Sequence, residues 1–282
     1  MLNLPLSLLS DDLLVSIVEH VAKLPSKDEN LYNLSLADRA FTQSCQKYIF
    51  QNLKFSSEKR LNEAKKILHE KPSFADHIRM VELLISRNGS WVLNDHVLIT
   101  ILQLLSKTPM PPHELHFGGH NFSGYNFSSF KIKDPILVVR RFAQSFFSQT
   151  LTILHLKQCA NVPLPLFIIC PRLKEVSLDR VGATEKSYDN FPDDQYFGRE
   201  APRLEVLDYR NSHSLVKLMI TPPPTRFNTP VVLWSNLRVL TLAPRHKEGM
   251  ACLQAILDVA CNILEELYLT GTDMDKCKRN VF

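Results

Sequence analysis

Glycine is scarce in this chain, with eight residues in 282. No G-x-G-x-x-G, G-K-[ST] or G-x-S-x-G occurs, so the phosphate-cradling loops and the nucleophile elbow that need glycine at fixed spacing are missing. The six cysteines form no C-x-x-C pair. This excludes zinc-ribbon and dithiol redox motifs and reads the cysteines as small buried hydrophobes of a reducing compartment. No apolar run approaches the ~20 residues of a membrane span. The opening "MLNLPLSLLSDDLLVSIV" has no basic n-region and is interrupted by Asp11 and Asp12, unlike a secretory signal. A membrane partner is therefore not expected, and the cytoplasm or nucleus is the expected location. Charge is mild, with 33 basic against 29 acidic residues and a net +4. No basic run marks a nucleic-acid surface.

What is present is leucine at regular spacing. The segments "LTILHL", "LKEVSL", "LEVLDY", "LRVLTL" and "LEELYL", beginning at Leu151, Leu173, Leu204, Leu237 and Leu264, share one shape, L-x-x-L-x-L. "IRMVEL" from Ile78 is an earlier copy and "PHELHF" from Pro112 a weak one. Helix-like stretches lie between them: "SEKRLNEAKKILHE", "NDHVLITILQLLSK", "ILVVRRFAQSFFSQ" and "KEGMACLQAILDVAC". Strand then helix at a period of roughly 20–40 residues is the leucine-rich-repeat pattern. The spacing is uneven, 22 residues from Leu151 to Leu173 but 33 from Leu204 to Leu237. An irregular array with loop insertions is expected, the inserts being residues 182–200 and 221–230. The first carries Tyr188, Phe191, Tyr196 and Phe197; the second is proline-rich and unsuited to regular structure.

Strand parity divides the side chains. In L-x-x-L-x-L the leucines face the core, and the residues between them face the open, concave surface. The candidate substrate-binding strip is Glu82, Glu114, His116, His155, Lys157, Glu175, Asp179, Asp208, Arg210 and Tyr268, flanked by Met80, Ser177, Thr241 and Glu266. Exposed strand positions are also polar simply because they are wet.

The stretch "MPPHELHFGGHNF", Met110 to Phe122, suggests a metal site, with His113, His116, His120 and Glu114 close together. In a strand, His113 and His116 point to opposite faces and cannot share an ion. A helix is opposed by Pro111 and Pro112 before the segment and by Gly118 and Gly119 within it. The H-E-x-x-H zincin motif needs its histidines one helical turn apart, and here the second arrives one residue early. No metal site, cofactor or enzymatic chemistry is expected. Cys159 closes an L-x-x-L-x-L-x-x-C run and is expected as a buried contact at the strand exit.

The N-terminal segment has a different periodicity. "LLSDDLLVSIVEHVAKL" spaces Leu9, Leu13, Leu14, Ile17, Val18 and Val21 as a helix, with Ser10 as its N-cap and two aspartates in the first turn. "LYNLSLADRAFTQSCQKYIFQNLKF" reads as two further short helices. So small a unit is near the limit of what can bury its own apolar surface.

These residues resemble an F-box. "LYNLSLADRAF", Leu31 to Phe41, is similar to the family's L-x-x-L-S-L-V-x-R-x-F element, with Ala37 and Asp38 departing from it. The opening is either Leu4-Pro5 or Leu9-Ser10, with serine in place of proline. With the repeats behind it, the chain looks like the divergent F-box/leucine-rich-repeat proteins of fungi. The resemblance implies an α/β repeat fold: a three-helix F-box-like unit over residues 1–55, then an irregular leucine-rich-repeat solenoid over 56–282, strands concave and helices convex. It also implies an adaptor that docks on a Skp-family subunit of a cullin–RING ubiquitin ligase and presents a protein substrate. Carried onto this sequence, the docking residues are Pro5, Leu9, Leu13, Leu14, Ile17, Leu34, Leu36 and Phe41, several of which must also pack the unit itself. The alternative is a repeat scaffold without a ligase, in which the N-terminal helices cap the array. No pattern for a capping helix follows Leu269, which leaves a truncated array open.

Overall fold

A computed structural model describes residues 9–85, 95–119, 130–132, 138–183, 200–221, 231–243 and 247–270. Pro5, His120 and nearly all of both expected inserts lie outside the described residues.

Three helices come first: α1 Asp11–Ala22, α2 Lys27–Ala37 and α3 Arg39–Ile49. Ser10 caps α1 by accepting from the Leu13 amide, and Asp11 and Asp12 meet the positive end of the helix dipole. Asp38, in extended geometry, stops α2 and starts α3, its carboxylate accepting from the Ala40 amide at 2.9 Å. One of the two residues that depart from the F-box pattern, Asp38, is thus the cap of α3. The unit has its own core of Leu14, Val18, Leu31, Phe41 and Cys45, separate from the rest of the molecule.

The remainder is an α/β structure built on one parallel sheet of eight strands. They are β1 Asn52–Phe55, β2 Met80–Ile85, β3 Glu114–Gly119, β5 Ile153–Lys157, β7 Glu175–Asp179, β8 Val206–Arg210, β9 Val239–Leu242 and β10 Glu266–Leu269, in chain order across the sheet. Two short strands, β4 Phe130–Lys131 and β6 Cys159–Ala160, pair separately. Helices follow several strands: α4 Glu58–Glu70, then helices His96–Leu105, His213–Ile220 and Lys247–Ala260, with a π-helical segment Val138–Phe147 before β5. Parallel crossovers between neighbouring strands are right-handed, so the connections share one face of the sheet. Burial agrees. Val81, Leu83, Leu115, Phe117, Leu154, Leu156, Val176, Leu178, Leu207, Tyr209, Leu240 and Leu242 are buried in a single core that runs from Phe55 to Ala260, while their strand neighbours remain partly open. The seven L-x-x-L-x-L segments therefore lie in seven strands, and six show the expected parity of burial; in the edge strand β10 Leu267 is half-buried and Leu269 exposed.

Strand β1 corrects the sequence reading, which ran the third helix through "QNLKF". The helical pattern ends at Phe50; Leu53 and Phe55 then alternate with polar residues. Phe55 is fully buried in the sheet core and Leu53 pairs with Val81. The helical unit therefore ends at residue 50 rather than 55.

The strand exits repeat one another. Gln158, Arg180 and Asn211, each the first residue after β5, β7 or β8, take left-handed backbone (φ 52°, 57° and 52°). The residue after each, Cys159, Val181 or Ser212, is buried. The Cys159 thiol donates to the Lys157 carbonyl at 3.2 Å, and the Ser212 hydroxyl to the Arg210 carbonyl at 3.0 Å. Cys159 thus sits where its spacing placed it. Full burial pushes its thiol up to about 12, which keeps it protonated and unsuited to nucleophilic attack.

Candidate functional site

The open face of the sheet is organised by register. One row crosses it from edge to edge: Lys54, Glu82, His116, His155, Ser177, Asp208, Thr241 and Tyr268 are successive Cα partners. A second row, two residues further along the strands, runs Leu84, Gly118, Lys157, Asp179 and Arg210. Glu114 and Glu175 lie two residues earlier, on either side of Ile153. Parallel pairing without slippage makes each row a line of side chains about 4.8 Å apart.

A shallow groove of about 360 Å³ follows these rows, lined among others by Glu82, His116, His155, Lys157, Asp179, Asp208 and Arg210. Its floor is low where Gly118 stands between Leu84 and Lys157. A Cβ there would lie 2.6 Å from the Lys157 carbonyl oxygen and 2.9 Å from its Cβ, so only glycine fits without moving β5. Of the ten residues expected on the strip, Glu114, Glu175 and Tyr268 do not line the groove. Glu114 is adjacent to it, Glu175 is exposed beside it, and Tyr268 is on the edge strand, its hydroxyl donating to Glu266.

Charges in the groove alternate. Lys54 pairs with Glu82 at 3.0 Å, and Arg210 approaches Asp208 at 3.6 Å. Burial pushes the Asp208 carboxyl above its ordinary value; Arg210 opposes this and Asp179 adds to it. Asp208 Oδ1 is shielded from solvent and, among the described residues, accepts no hydrogen bond.

The densest cluster is Glu114, His116 and His155. The His116 Nε2–H donates to Glu114 Oε1 at 2.6 Å, and His155 Nε2 lies 3.7 Å from the same oxygen. The two imidazoles face each other at 4.1 Å between centroids, tilted by 48°. The hydrogen bond from His116 holds the Glu114 carboxyl below the usual carboxylate range, outweighing burial, with help from the nearby histidine charges. Burial, reinforced by His116, holds His155 below the usual imidazole value against the pull of Glu114. His113, on the opposite face, is not a member of this trio, although its charge also acts on Glu114. The second histidine of the trio is His155, 39 residues after His116. Motif spacing misses such a pair; only the β3–β5 register reveals it. Lys54 was missed for a related reason, because its strand was read as helix.

The expected docking residues separate by burial. Leu13 and Leu36 are exposed, at 47% and 67%, as is Tyr32 one turn before Leu36, at 58%. Leu9, Ile17 and Leu34 are half-buried against the helical core. Leu14 and Phe41 are members of that core, 6% and 2% exposed, and pack the unit itself. No described helix is long and apolar enough to cross a membrane. No protein-family model matches the chain, and no curated protein matches it.

Proposed function

We propose that this chain is the substrate-recognition adaptor of a Skp–cullin–F-box type ubiquitin ligase. The N-terminal helices dock on a Skp-family adaptor, and the polar rows of a leucine-rich-repeat sheet bind a protein substrate. The observation that carries this reading is the helical unit's surplus of apolar surface. With a core of its own already closed, it still exposes Leu13, Tyr32 and Leu36. Apolar side chains displayed on a small helical unit mark a contact surface. The chain carries no covalent step in this role. It raises the effective concentration of its substrate at the ligase.

The test is co-purification of the full chain with its host's Skp-family adaptor, beside a chain lacking residues 1–50, which spares β1. Retention by the full chain and loss on deletion are expected. A well-folded full chain that fails to retain the adaptor would overturn the reading.

One observation favours the scaffold alternative. Helix α3 ends at Ile49 and β1 starts at Asn52, with Phe50 stacked on Phe74 at 4.1 Å. The end of α3 thus runs directly into the edge strand of the sheet and packs on Phe74, as the end of a cap would, and a cap needs no ligase.

A further inference from the structure

We propose that Glu114, His116 and His155 form a binding site for a divalent first-row transition ion of the zinc class, with a coordination position left open on the exposed face of the sheet.

The donor set selects the ion. Two imidazoles and a carboxylate suit zinc, copper, nickel or iron, whereas calcium and magnesium take oxygen ligands. Three protein ligands with a vacant position are the arrangement of reactive rather than structural zinc sites. The ligand atoms of the three residues lie within 4.8 Å of one another. Metal–donor lengths of about 2.0–2.2 Å in a tetrahedron separate donors by roughly 3.3 Å. The observed separations from Glu114 Oε1, 2.6 Å to His116 and 3.7 Å to His155, bracket that value. Small rotations about the side-chain bonds reach it, with the His116 proton moving from Nε2 to Nδ1 so that Nε2 can bind the ion.

The scaffold keeps the three together. His116 and His155 are register partners on adjacent strands, and Glu114 precedes His116 by two residues on the same face. Ligands on strands are held more precisely than ligands on loops. The side chains are 26%, 29% and 39% exposed for Glu114, His116 and His155, so an ion can enter and its remaining position faces outward. Neighbouring charge does not block it. Glu82, the register partner of His116 on β2, is engaged by Lys54, and Ser177 is the partner of His155 on β7. The Glu114 carboxylate supplies negative charge to meet a dication. An ion here would also give the face a labile position for a donor group of a bound protein.

The alternative is that Glu114 and His116 form only a hydrogen-bonded pair beside a stacked histidine. Zinc titration of the metal-stripped full chain against a chromogenic chelator distinguishes the two, with His116→Gln, His155→Gln and Glu114→Gln beside His69→Gln, an exposed histidine on α4. One equivalent of zinc is expected for the wild type and for His69→Gln. Each of the other three substitutions should weaken binding by at least the ~10–100-fold seen when an outer-shell partner is lost. Cobalt, used as a spectroscopic stand-in, should show an intense visible band that disappears in His116→Gln and His155→Gln. Melting of each metal-free variant at the wild-type temperature shows that the fold is retained. Zinc uptake equal in all variants, or none in the wild type, would overturn the proposal. The result is independent of adaptor binding, so each reading fails or stands separately.

Discussion

The two parts of this molecule bury their leucines differently. In the sheet, the inward-facing residues of β2, β3, β5, β7, β8 and β9 are buried, and the edge strand β10 is the exception, with Leu269 46% exposed. One core runs from Phe55 to Ala260, and the open face of the strands is mainly Lys, Glu, His, Ser and Asp. The helical unit closes a core of five residues and leaves Leu13, Tyr32 and Leu36 in solvent. An aliphatic side chain that stays exposed next to a satisfied core is free to serve a contact, whereas a leucine inside the sheet is committed to stability. The same residue type is therefore exposed in one part and structural in the other.

Substitutions sharpen that contrast. Leu154→Ala, at a fully buried position of β5, should lower stability by about 2–5 kcal/mol in denaturant unfolding, the usual cost of a core cavity. Gly118→Ala should cost about 1–3 kcal/mol, because the new methyl meets the Lys157 backbone. Unchanged stability would mean that β3 and β5 yield more easily than their register implies. Asp38→Ala should cost about 1 kcal/mol through the lost cap of α3. Leu36→Ser should change stability by no more than about 0.5 kcal/mol, as for other surface positions. A loss like that of Leu154→Ala would show Leu36 to be packed, and the division between the two parts would fail.

Much of the sheet was legible in advance, because L-x-x-L-x-L states both period and parity. Val81, Leu115, Leu154, Val176, Leu207, Leu240 and Leu267 occupy its central slot and pair in register across the sheet. The face on which His116, His155 and Asp208 stand follows from the same alternation. Two things were not legible. Strand β1 is too short to show a period of its own, and it follows a helix without a break. The His116–His155 pair depends on which strand lies next to which. A motif read along the chain found three nearby histidines and dismissed their clustering for sound reasons, while the effective partner lay beyond the intervening helical segment. In the helical unit, pattern placed the helices but could not separate Leu13 from Leu14. Both fit the spacing, and only the packing of α1 against α2 and α3 turns Leu14 inward.

The adaptor role proposed above rests on the exposed apolar residues of the helical unit, Leu13 and Leu36 among them. Its most direct test is the binding isotherm of the full chain for that adaptor, compared with the double substitution Leu13→Asp, Leu36→Asp. The account predicts saturable binding by the wild type and its loss in the double variant, at unchanged melting temperature. Equal binding by both proteins would contradict it.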